Sequence, residues 1–243
     1  MFMNSETATS CTSPLSTWMI GLIFFFITGV SLPAYSSNPQ WERENSAGMK
    51  AYQQNKLGSA KTHFLNALSS LGNPQEPAPE EATTLNNLGA VHEAIGEYEE
   101  AELRYRQSLI IIEKIQGPNH PDIVLSLNNL ASLHFSKGEF DAGEALWTRA
   151  LHILENFLGT DNPHLIPTLS TLGFLAQVQK NPDMAEEYFT RAIRIAEKHL
   201  GPQHPQLKKL LGRYANFLRV SKRPEEAEIV EKRADSILHS SPD

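Results

Sequence analysis

The sequence predicts an all-α solenoid of about five helix-turn-helix repeats. Three observations point there: a segment that recurs about every 42 residues, apolar or small residues spaced three or four apart within each copy, and glycine and proline closing each copy at a fixed place. Gly96-Glu-Tyr-Glu-Glu-Ala101 matches Gly138-Glu-Phe-Asp-Ala-Gly143, an offset of 42. The same shift reaches Lys180-Asn-Pro-Asp-Met-Ala185 and then Lys222-Arg-Pro-Glu-Glu-Ala227, and a backward shift of 41 reaches Asn55-Lys-Leu-Gly-Ser-Ala60. The copies are expected at about 41–72, 81–120, 123–162, 165–204 and 207–240, so that the solenoid fills 41–240 and leaves 241–243 as a tail.

Each copy reads as two helices. Leu85, Leu88 and His92 share one face of a first helix, and Ala101, Tyr105, Ser108, Leu109 and Ile112 share one face of a second. Small residues recur at Gly48, Gly89, Ala131, Gly173 and Ala215, and again at Ala60, Ala101, Gly143, Ala185 and Ala227. Small side chains let two helices cross closely, and the aromatics of a neighbouring column, Phe64, Tyr105, Trp147 and Phe189, are placed to fill the space beside them. Gly117, Gly159 and Gly201, followed by Pro121, Pro163 and Pro205, stop the second helix, because glycine suits the C-cap and proline cannot continue the ladder.

These columns resemble the tetratricopeptide repeat (TPR), whose pattern is W-x2-L-G-x2-Y, then A-x3-F, then P. The second copy carries it as Leu85, Leu88-Gly89, His92, Ala101 and Tyr105, the third as Leu127, Leu130-Ala131, His134, Gly143 and Trp147, and the fourth as Leu169, Leu172-Gly173, Ala176, Ala185 and Phe189. The longer period, with Asn128-Asn-Leu-Ala131, Arg149-Ala-Leu-His-Ile153 and Leu200-Gly-Pro-Gln-His-Pro205, is similar to the kinesin light chain subfamily. The resemblance implies a right-handed superhelix whose concave face is lined by the first helices and binds a protein or peptide segment. At the ends the pattern decays. Glu44 and Ala47 stand in leucine columns of the first copy, and Glu231 and Asp235 stand in aromatic and aliphatic columns of the fifth, which reads as polar capping of faces with no neighbour.

Residues 1–34 form a separate unit. Trp18 to Val30 is a thirteen-residue run with one polar member, followed by Leu32-Pro33-Ala34. A membrane-crossing helix needs about 20 apolar residues and a signal-peptide core about 7–15. The segment therefore reads as a secretory signal cut near Ala34 or Ser36. The alternative is a short membrane anchor, since no Lys or Arg precedes Arg43. Residues 35–40 would be a linker, and the protein would be exported, in a periplasm.

Composition excludes several classes. A formal charge of −7 argues against nucleic acid as a partner. One cysteine, Cys11, can build neither a disulfide nor a Cys-based zinc site. No G-x-S-x-G, HExxH or phosphate-cradling loop occurs, and the nine histidines lack metal-ligand spacing. The expectation is a protein with no cofactor and no enzymatic activity.

The resemblance implies which residues face the groove. The second copy offers Asn86, Asn87, Ala90 and Glu93, and the third Asn128, Asn129, Ser132 and Phe135. The fourth offers Ser170, Thr171, Phe174 and Gln177, and the fifth Lys209, Arg213, Asn216 and Arg219. A carboxamide both donates and accepts, so Asn87 and Asn129, in the column that resembles the family's clamping asparagine, suit a peptide backbone. Phe135 and Phe174 suit apolar side chains. The basic fifth copy, set against Glu93 in the second, suggests a peptide whose acidic part lies toward the C-terminal end. The alternative is a structural subunit that oligomerises through its convex face or repeat ends.

Overall fold

The computed structural model describes residues 38–72 and 76–237. Among these residues the chain forms five helix pairs: α1 (Pro39–Gln53) with α2 (Leu57–Ser70), α3 (Pro79–Ile95) with α4 (Tyr98–Gln116), α5 (Ile123–Ser136) with α6 (Phe140–Leu158), α7 (Ile166–Val178) with α8 (Pro182–Leu200), and α9 (Pro205–Val220) with α10 (Pro224–Ser236). A single 3-10 turn, Pro163–Leu165, precedes α7. The architecture is the expected TPR solenoid. The leader or anchor expected over 1–34 lies outside the described residues. The linker expected over 35–40 gives way to helix at Pro39, because the Asn38 side chain accepts from the backbone N–H of Gln40 (3.1 Å) and Trp41 (3.0 Å) and proline suits the first helical position.

The repeat period is written into the backbone. The turn inside each pair passes through one left-handed residue, at Asn55, Gly96, Gly138, Lys180 and Lys222 in successive copies. The two lysines hold φ near 60° against the Cβ crowding that glycine escapes. The breaks between α4 and α5, α6 and α7, and α8 and α9 use Gly117, Gly159 and Gly201 at φ 92, 86 and 88° with ψ 163, 158 and 165°, a region open in practice to glycine alone. Three residues beyond each glycine a side chain accepts a backbone N–H. Asn162 Oδ1 accepts from His164 N (3.0 Å) and caps the 3-10 turn, His204 Nδ1 accepts from Gln206 N (3.2 Å) and caps α9, and His120 Nδ1 accepts from Asp122 N (3.3 Å) in the turn before α5.

The small columns sit under aromatic rings. A Cβ on Gly48 would lie 2.6 Å from the Phe64 ring, and one on Gly173 3.1 Å from Phe189. The core runs along the stack as linked clusters, the largest joining Trp147 and Leu151 of α6 to Leu169 and Leu172 of α7 and Ile193 of α8.

Second helices are tied together by a ladder of ion pairs. Arg149 meets Glu113 at 2.6 Å, Arg191 meets Glu155 at 2.6 Å, and Arg233 meets Glu197. Arg149 and Arg191 also donate to the preceding loop carbonyls, Pro118 O and Thr160 O, both at 2.7 Å. At the ends the polar substitutions find polar partners. Glu44 meets His63 Nδ1 at 2.8 Å, Glu231 accepts from Arg219 at 2.6 Å, and the Asp235 side chain is 81% exposed, as a cap requires.

Two buried imidazoles close the turns after α3 and α5. His92 and His134 bond through Nδ1 to Glu97 and Glu139, which also meet Lys61 and Lys137. The imidazole bond first, and the lysine bond second, hold both carboxyls below their ordinary value of 4.5. Their stabilisation is thus complete above about pH 4.5 and is lost as pH falls through the lower folded value. Thermal melts at descending pH are expected to show Glu97→Gln plus Glu139→Gln losing less stability than wild type below that point.

Candidate peptide-binding groove

Helices α1, α3, α5, α7 and α9 form the inner face. Backbones of α1 and α3, of α3 and α5, and of α7 and α9 approach within 8 Å, whereas no two second helices do so. The array therefore curves toward its first helices. Along that face the expected site residues fall into columns with different fates.

One column turns into the seam between repeats. Asn86 and Asn128 are 6% and 9% exposed, and Ser170 is 2% exposed. The expectation that Asn86 and Asn128 point into the groove is thus corrected. Asn45, Asn86 and Ser170 of this column serve the next column as acceptors instead, since Asn87 Nδ2 donates to Asn45 Oδ1 (3.0 Å), Asn129 Nδ2 to Asn86 Oδ1 (3.0 Å), and Arg213 Nη1 to Ser170 Oγ (2.8 Å). Each bond joins one first helix to the next. The corresponding bond between α5 and α7 is missing. Thr171 stands where the donor should be, and its hydroxyl bonds back to Pro167 O (3.0 Å), leaving Asn128 Oδ1 buried without a partner. Thr171→Asn is expected to supply the donor and raise stability by about 1 kcal/mol, read from urea denaturation.

Asn87 and Asn129 remain half-buried. Their ladder bonds fix the carboxamides in place before any ligand arrives. Phe135 and Phe174, also half-buried, touch each other with ring centroids 5.9 Å apart, and Phe135 leans on Phe140 (5.3 Å) and Trp147 (6.1 Å). They form one apolar contact across the third and fourth repeats. Leu125, 52% exposed one turn before Asn129, is a separate apolar position near the start of α5. Sequence reasoning missed it because its column holds Thr83, Pro167 and Lys209, with no second aliphatic residue to mark it.

The charged members are unequal. Arg219 is neutralised by Glu231, while Arg213, exposed at the surface, has a neutral hydroxyl as its partner. Lys209 and Asn216 are exposed. Glu93 is half-buried and accepts from the Tyr105 hydroxyl at 2.8 Å; burial pushes its carboxyl above the ordinary value, and it pushes the Tyr105 phenol well up. Among the described residues no group of three or more His, Cys, Asp or Glu could hold a metal ion, and no helix is long and apolar enough to cross a membrane.

Comparison with known proteins agrees with this geometry. The Tetratricopeptide repeat profile matches residues 80–142, 122–198 and 165–234. No curated protein matches the chain. Among solved structures, BtubC (BKLC) from P. vanneervenii is 18% identical, with 83% of each chain covered and a TM-score of 0.73. A Podosopora anserina protein described by its kinesin light chain nearly identical TPR-like repeats is 17% identical, covering 84% of this chain and 97% of its own, also at 0.73. Pseudomonas aeruginosa pilF is 17% identical over 83% of this chain and 78% of its own, at 0.61. With three overlapping matches across residues 80–234, this chain belongs to the tetratricopeptide repeat family.

Proposed function

We propose that the protein is a non-enzymatic adaptor that holds an extended peptide segment of another protein along its inner face. One observation carries the reading: Phe135 and Phe174, on successive first helices, make one half-buried apolar contact on helices whose asparagine carboxamides are already fixed by the ladder. Fixed donors and acceptors reduce the ordering cost of binding, and an apolar patch with a few convergent polar groups is the usual form of a recognition site. Arg213, with no carboxylate partner among the described residues, favours a segment whose acidic part lies toward the C-terminal repeats. TPR proteins as a group bind other proteins or peptides, which agrees with this role. Residues 18–34 favour export to a periplasm with cleavage near Ala34, or else retention at the membrane by that segment; the intact mass of the exported protein separates the two.

A second reading has its own support. Ile110 is 62% exposed, Leu103 45% and Phe157 55%, all on second helices, which suits a scaffold subunit that assembles through its outer face. A photo-crosslinking amino acid placed at Leu125 and, separately, at Ile110 compares the two in cells. A partner caught from position 125, absent from position 110 and reduced by Arg213→Glu, is the expected result. A product from position 110 alone, at the mass of a dimer of the chain, would replace the adaptor with the scaffold.

A further inference from the structure

We infer that Glu93 is the subsite for a basic side chain, lysine or arginine, of the segment bound in the groove; the inference rests on the adaptor reading above. Glu93 lies in a column with Tyr52 one repeat before it and Phe135 one repeat after. The inner face thus presents aromatic, carboxylate and aromatic side chains in successive repeats. The carboxylate is held by the hydroxyl of Tyr105, itself 1% exposed, at 2.8 Å. The Tyr52 hydroxyl bonds to Ala90 O at 3.5 Å, in the turn before Glu93, and the Tyr52 phenol is pushed up by burial and then by the charge of Glu93.

What sets Glu93 apart is a carboxyl pushed up by burial with a neutral phenol, and no cation, against it. Glu97, Glu102, Glu113, Glu139, Glu155, Glu186 and Glu197 each meet a lysine, arginine or histidine. Among the described residues no ion pair involves Glu93, and its bonding partner is a neutral phenol. Holding the Tyr105 hydroxyl needs an acceptor and no charge, so glutamine would do that work without the desolvation that opposes the carboxylate. The charge is surplus to the fold and open to the groove. An ammonium or guanidinium entering there meets a desolvated carboxylate held by Tyr105, with Tyr52 anchored one turn earlier on α3, which strengthens the ion pair and offers an aromatic ring beside it. Together with Arg213 three repeats on, this makes the groove bipolar. The segment that fits it carries a basic residue over the second repeat, an apolar residue over Phe135 and Phe174, and an acidic residue over the fifth.

The test uses the full chain with 13C-labelled tyrosine and three probes: Nα-acetyl-lysine methylamide, Nα-acetyl-arginine methylamide, and the neutral Nα-acetyl-citrulline methylamide. Tyr52 and Tyr105 resonances are expected to shift saturably with the two cationic probes, with a dissociation constant on the order of millimolar. They are expected not to shift with citrulline, and Glu93→Gln, which keeps the acceptor for Tyr105, should abolish the response while melting no lower than wild type. Tyr52→Leu should weaken it several-fold with Glu93 intact. No saturable shift, or one that survives Glu93→Gln, overturns the subsite. The crosslink from position 125 reads the groove separately. A crosslink kept at full yield by Glu93→Gln removes the subsite and leaves the adaptor reading standing, whereas loss of yield supports the subsite.

Discussion

Trp147→Ala is expected to lose about 3–5 kcal/mol of folding stability, measured by urea denaturation. The indole is 3% exposed and lies in the largest cluster, where α5, α6 and α7 meet. Removing it empties a volume enclosed by Leu151, Leu169 and Leu172, residues held by their own helices and not free to collapse inward. Trp147→Phe is expected to cost much less. The indole N–H is buried without a partner, so the replacement gives up volume and no hydrogen bond. Because Phe135 packs against this ring, Trp147→Ala is also expected to loosen the apolar patch of the groove, visible as reduced crosslinking from position 125 at temperatures where the variant stays helical.

Gly89→Ala is the second large effect, about 1–3 kcal/mol destabilising. The added Cβ would stand 2.6 Å from two carbons of the Tyr105 ring, which is buried and must move as a unit. That movement draws the phenol away from Glu93, so a stability measurement and the tyrosine resonances should change together. Gly212→Ala, in α9 with nothing within 4 Å of its Cβ, is expected to go the other way and gain about 0.5–1 kcal/mol, since a helix interior prefers alanine. The two substitutions share a chemistry and differ only in what the methyl meets.

Much of this architecture was legible before any coordinates. Periodicity reports burial, and the residues it singled out, Leu85, Leu88, Tyr105, Trp147 and Phe189, are core residues. Glycine and proline report backbone geometry directly, so the breaks at Gly117, Gly159 and Gly201 were readable too. The left-handed turns at Lys180 and Lys222 were not, because lysine carries no signal for positive φ and the position shows only in register with Gly96 and Gly138. The groove was half legible. An asparagine on a first helix looks the same in sequence whether it faces a ligand or a neighbouring asparagine, and adjacent residues such as Asn128 and Asn129 differ by about 100° of helix rotation, enough to send one into the seam. The ladder of Arg149, Arg191 and Arg233 with Glu113, Glu155 and Glu197 did leave a trace, two charged columns at a constant separation of 36 residues, visible once the columns are compared with each other.

The missing bond at Asn128 does not stand alone. The same joint is where the backbones of consecutive first helices fail to come within 8 Å, although they do so on either side. What spans it on the inner face is the contact of Phe135 with Phe174, a greasy and non-directional bearing in place of a hydrogen-bonded strut. Behind that bearing the largest core cluster runs through the joint and Arg191 pairs with Glu155 across it. Exchanging a strut for a bearing therefore changes what lines the inner face there and leaves the stack continuous: the middle of the face is oily, and the hydrogen-bonding lining is confined to its two flanks.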